Sequence, residues 1–182
     1  MEKGEKVMAD YLIERAEAVV KVDEFVENCI DIPKFIACCQ KCPSYGNRWS
    51  CPPFDFNPMD IWKKYKTLHL HAMILKPLDS DGKKLVEGLW KEKPGFDLGL
   101  VELESAYPGS LALSGGTCVL CDECRRAKGE ACCQPDKLRY SIEALGGDVG
   151  KTCEHYFQKP ILWVKDGIAP DYLMWVGGLL LP

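Results

Sequence analysis

Leu68, Leu70, Ala72 and Ile74 alternate with His69, His71 and Met73, a period of two that predicts a strand over 67–77 with one apolar face. Residues 11–22, "YLIERAEAVVKV", fit a helix or a strand, and their β-branched end favours a strand closing by Val22. Asp23 is expected to cap a short helix, "EFVENC". Asp31 is expected to cap another, which turns Phe35 and Ile36 toward the core and ends in cysteines. Asn57-Pro58 with Asp60 opens a third helix, "MDIWKKY".

Further along, 97–107 is compatible with a helix, and "SLALSGG" predicts a short strand running into Cys118. Pro135 is expected to begin a helix through Leu145 that stops at Gly146-Gly147. "ILWV" and "YLMWVGGLLL", separated by the turn-rich "KDGIAPD", predict a terminal strand pair. Strands and helices mix without a βαβ rhythm. The expected fold is α+β: one compact domain over 1–182, with a mixed or antiparallel sheet, helices and two cysteine-rich cofactor-binding loops.

Composition narrows the functional classes. The 182 residues are 47% hydrophobic, enough for a core that needs no staples. A net charge of −4 with both signs interspersed argues against a nucleic-acid or anionic-membrane binder. "MEKGEKVMADYLIERAE" is charged throughout, and the longest apolar runs fall far short of the ~20 residues of a membrane helix. The expectation is a cytoplasmic protein. There, eleven clustered cysteines point to metal or catalysis rather than to disulfides.

Two stretches carry the chemistry. In "CVLCDECRRAKGEACCQP", Cys118, Cys121 and Cys124 are each two residues apart and Cys132 follows after seven more. That rhythm lets one loop wrap three corners of a [4Fe–4S] cluster, whereas zinc usually draws on two separated Cys-x-x-Cys knuckles or on histidine. Cys132 and Cys133 compete as the fourth ligand, Cys132 being preferred, with Pro135 shortly after it to shape the ligand turn. Arg125, Arg126 and Lys128 would offset the negative charge of thiolates around the centre.

In "CCQKCPSYGNRWSCPPFDFNP", Cys39, Cys42 and Cys51 form C-x2-C-x8-C, with "CPP" fixing a turn. No fourth thiol is close by. A second cluster with a crossing ligand from Cys29, Cys133 or Cys153, a cluster with an open iron, and a zinc site completed by His69 or His71 all remain open. Dinucleotide, Walker A, zinc-protease and nucleophile-elbow motifs are absent from the sequence, and "GDVGK" lacks the long glycine loop of a phosphate site.

"CQKCPSYGNRWSCPPFDFNP", "PGSLALSGGTCVLCDEC" and "CQPDKLRYSIEALGGDV" together resemble a family of small cysteine-rich prokaryotic proteins, predicted metal-binding proteins of unknown function. The resemblance runs from about Asp31 onward. It implies metal binding, with Cys39, Cys42, Cys51, Cys118, Cys121, Cys124 and Cys132 as the family-type cysteines, and it supplies no reaction. The expected role is an iron–sulfur protein with one or two [4Fe–4S] clusters that transfers electrons to a redox partner protein or enzyme. The alternatives are an enzyme with an open iron, where Lys41 and Arg48 would bind anions, and a zinc-stabilised interaction module.

Overall fold

The computed structural model describes Lys6, Val7 and residues 10–182, so residues 1–5, 8 and 9 of the N-terminal stretch read for a targeting segment lie outside it. Five strands, β1 (Lys6–Val7), β2 (Tyr11–Lys21), β3 (Thr67–Pro77), β4 (Leu111–Leu113) and β5 (Leu173–Leu181), form one sheet in the order β1-β2-β3-β5-β4. Every neighbouring pair is antiparallel. With helices on both sides, the fold is α+β, as the mixed pattern predicts.

The helices are α1 (Val22–Cys29), α2 (Ile32–Cys39), α3 (Met59–Trp62), α4 (Gly82–Ala106) and α5 (Val149–Phe157). One face of the sheet buries Leu68, Leu70, Ala72 and Ile74 against Phe25 of α1, Trp62 of α3 and Cys153 of α5. The other buries Ile13, Met73, Leu75 and Leu179 against Leu85, Leu89, Phe96 and Leu100 of α4. Double coverage explains why Ala72 to Leu75 are all buried instead of strictly alternating. Among the described residues, no helix is long and apolar enough to cross a membrane.

Asp31 caps α2 as expected, its Oδ1 accepting from the Lys34 N–H at 3.1 Å. Several other expectations need correction. Asp23 sits in the first turn of α1, favourable for the dipole, while the cap position is Lys21 with no side-chain bond. Phe35 and Ile36 are only half-buried, because α2 lies at the edge of the core and fully buries nothing. The third helix is four residues long, shorter than "MDIWKKY".

α4 extends back to Gly82, well before 97, with Asp81 accepting from the N–H groups of Lys83 and Lys84. Pro94 inside it reads as a breaker in sequence. The row Leu85, Leu89, Phe96 and Leu100 holds the helix on the sheet despite that cost.

No helix spans 135–145. The backbone there is claimed by tertiary partners: Ser114 N–H donates to the Tyr140 carbonyl at 2.9 Å, and bridges Ser114–Ser141 and Ile30–Gly147 bracket a tight turn over 141–147. "ILWV" forms no strand either, since β3 and β4 occupy both edges of β5.

Candidate metal centre

α2 ends at Cys39, and successive turns then bring Cys42 and Cys51 back beside it. Cys42 N–H donates to the Cys39 carbonyl at 2.9 Å, and Cys51 N–H to the Arg48 carbonyl at 3.1 Å. The Pro52–Pro53 peptide that follows is cis. Cys39, Cys42 and Cys51 line a cavity of about 120 Å³, closed from the opposite side by Gly116, Thr117 and Glu143.

Gly116, at φ 67°, permits the turn into Thr117, and a Cβ there would lie 2.9 Å from the Trp175 ring. Burial, reinforced by the neighbouring Cys51 and Glu143, pushes the Cys39 thiol up to about 11.

The second group lies next door. Cys118, Cys121, Cys124, Cys132 and Cys133 line a smaller cleft of about 20 Å³, roofed by Arg48 and Trp49 from the first loop. Cys133 Sγ stands 2.9 Å from Cys121 Sγ, and both are free thiols. That contact, followed by Gln134, pulls the Cys121 thiol below its ordinary value. Burial pushes Cys118 the other way, partly offset by the Leu120 N–H. Both rivals for the fourth position, Cys132 and Cys133, line this cleft.

The two loops are stitched together. Cys51 Sγ contacts Thr117 Oγ1 at 3.6 Å, and Ser50 Oγ accepts from the Cys118 N–H at 3.2 Å. Arg48 donates to the Cys118 carbonyl at 2.9 Å, and Trp49 Nε1 donates to the Glu130 carbonyl at 3.0 Å.

Arg126 donates to the carbonyls of Arg48, Cys51 and Pro53 while its guanidinium covers the Trp49 ring. These contacts revise two expectations. Arg48, expected to bind an anion in the enzyme reading, ties the loops through one of its guanidinium nitrogens. Arg126 acts as a three-carbonyl clamp, whereas Arg125 and Lys128 are exposed and face Glu130 and Glu123.

Other proposed ligands lie elsewhere. Cys29 and Cys153 are buried in the core and line neither cavity, so they do not reach across to the first site. Cys38, the thiol just before Cys39 in α2, is exposed to solvent. His69 and His71 line a separate groove of about 460 Å³ between the sheet and α4, which removes them as zinc ligands beside Cys39. Burial lowers the His71 pKa, which disfavours its cationic form.

Sequence reasoning missed Glu143. Its one visible signal is a charge set among Ile142, Ala144 and Leu145, in a segment that elsewhere packs into the core.

Eight thiols thus surround two adjoining cavities, three in one and five in the other. Among the described residues, no group of three or more His, Cys, Asp or Glu is drawn together as a single metal ion would require. The donor set is soft and sulfur-rich, and its thiols face cavities from several chain segments, which suits a polynuclear thiolate-held centre.

An α+β fold with two adjoining cysteine-lined cavities has the make-up of a metal-binding protein. The chain belongs to DUF2284, a family of predicted metal-binding proteins, whose model matches residues 28–181 and so takes in all eleven cysteines. No curated protein and no solved structure matches it.

Proposed function

We propose that the two loops each hold a [4Fe–4S] cluster and that the protein passes single electrons to or from a redox partner protein or enzyme in the cytoplasm. A bound cluster supplies one-electron redox chemistry at a potential that its surroundings tune.

The observation that carries this reading is the shared wall. Cys51 of one site touches Thr117, whose chain neighbour Cys118 belongs to the other, so the sites adjoin instead of occupying separate ends of the fold. Spacing supports clusters over zinc at the second site, where three thiols recur at two-residue intervals on a single loop.

The protein's own part is positional. Arg48, Trp49 and Arg126 hold the loops at fixed separation, and Trp49 with Phe54 and Tyr140 places aromatic surface beside them. Such surroundings limit water access and set the local dielectric. Cys133 is exposed and Cys121 half-buried, so a partner's nearer approach is to the second cleft.

An anaerobic potentiometric titration followed by visible and EPR spectra is the test. Two one-electron centres that titrate in the same chain support the relay. A colourless protein that carries only zinc refutes it.

A further inference from the structure

The first site has three thiols and no fourth, yet one further donor faces the same cavity. Glu143 lines it opposite Cys39, Cys42 and Cys51. Its Oε2 is shut off from solvent and has no hydrogen-bond partner, one of only two such side-chain atoms among the described residues. Burial raises the carboxyl's pKa, against hydrogen bonds from its own backbone N–H and from Ser141.

Among the described residues, no cation forms an ion pair with it. Lys93, whose charge it feels, is committed to Asp97. A buried carboxylate without a counter-charge is costly, and such groups in native proteins are paired or coordinate metals.

The placement is rigidly specified. Trp62 Nε1 donates to the Leu145 carbonyl at 3.0 Å, and the Ser141 Oγ accepts from the Ala144 N–H at 3.2 Å, which fixes the turn carrying Glu143. Asp31 N–H donates to the Gly146 carbonyl at 2.9 Å, so the same turn docks at the start of the helix that ends in Cys39. Gly146, at φ 89°, leaves no room for a Cβ against Ile32.

We propose that Glu143 supplies the fourth ligand, an oxygen, to the centre held by Cys39, Cys42 and Cys51. This rests on the reading that the first site holds a cluster. On coordination an Oε2–iron bond forms, the carboxyl proton leaves to solvent with those of the thiols, and no electron moves. The second site, with five thiols, needs no such donor. The two sites are therefore chemically unequal, one bearing an oxygen-ligated and more readily lost iron.

The test compares the full-length wild type with Glu143→Gln, reconstituted anaerobically with ⁵⁷Fe and sulfide and examined by iron and sulfide analysis and Mössbauer spectroscopy. Glu143→Gln keeps the volume and removes the buried ionisable group, so its metal-free form is expected to unfold at the same or higher urea concentration than the wild type. Its first site is expected to shed one iron on mild oxidation about 10-fold faster or more. The wild-type spectrum is expected to show one iron shifted from its thiolate-bound neighbours, and that component disappears in the variant.

Equal iron retention and identical spectra overturn the assignment while leaving two clusters in place. A metal-free Glu143→Gln that unfolds also overturns it, by showing a purely structural carboxylate. A wild type with only about four irons, or with zinc alone, overturns the assignment together with the cluster reading of the first site.

Discussion

The walls of the Cys39 cavity come from α2, the Pro52 turn, Gly116-Thr117 and the 141–147 turn, of which the last packs Ile142 and Leu145 into the core. The neighbouring loop that carries Cys118 to Cys133 has no buried residue anywhere between Gly116 and Tyr140, and its only regular element is a four-residue 3-10 turn, Arg125–Lys128. One site is therefore shaped by hydrophobic packing before anything binds. The other is held by polar tethers from the first loop and, when loaded, by its own inorganic centre. On the proposed reading, the core prepares one cofactor site and the cofactor itself orders the second.

The largest consequence concerns metal removal. Chelated protein is expected to be cut within 118–139 at least about 10-fold faster than loaded protein, while the sheet and α4 resist, because binding energy there is local folding energy. Limited proteolysis with mass spectrometry reads this directly. Equal protection of both loops in the metal-free protein would break the comparison.

Next in size is Trp62→Ala. Trp62 is fully buried and its indole holds the Leu145 carbonyl, so the loss is expected to cost about 3–5 kcal/mol in urea unfolding. It should also disturb the spectrum of the first site and spare that of the second. Loss of both spectra together would show that the sites are not separately supported.

Arg126→Lys keeps the charge but removes the planar fork that spans three carbonyls. A destabilisation of about 1–3 kcal/mol is expected. Unlike Trp62→Ala, it should loosen both sites, since the clamp is their common tie. An effect confined to one spectrum would reassign the clamp to that loop alone.

The last effect, confined to alkaline conditions, is the pH dependence of Cys153 in the core. Burial, with Glu143 next, pushes its thiol from 9.0 up to about 12. The folded state thus holds this proton more tightly than the unfolded chain. The resulting stabilisation is complete below about pH 9 and is lost as pH rises through about 12. Cys153→Ala should flatten the fall in stability over that interval, and an unchanged slope would place the alkaline sensitivity elsewhere.

Much of this architecture is legible in the residues. The alternation at 67–77 marks β3 over its full extent, and Asp31 marks the start of α2, because both signals are local. The grouping of the cysteines around two cavities could be read because spacing along one loop constrains how its sulfurs can meet.

What escaped depends on distant partners. The first half of α4 is hidden by Pro94 and its glycines and stabilised only by packing on the sheet. The 135–145 segment has helix-like composition, yet strand-like bridges hold Ser141 to Ser114 and Gly147 to Ile30 and turn the chain between them. Glu143 is an ordinary acid in sequence, and only the closure of Cys39, Cys42 and Cys51 around the same cavity makes it a donor.

Iron, acid-labile sulfide and zinc, counted per chain after anaerobic purification, test the central claim most directly. The account predicts a brown protein with about eight irons and about eight sulfides. Stoichiometric zinc with no sulfide would contradict it.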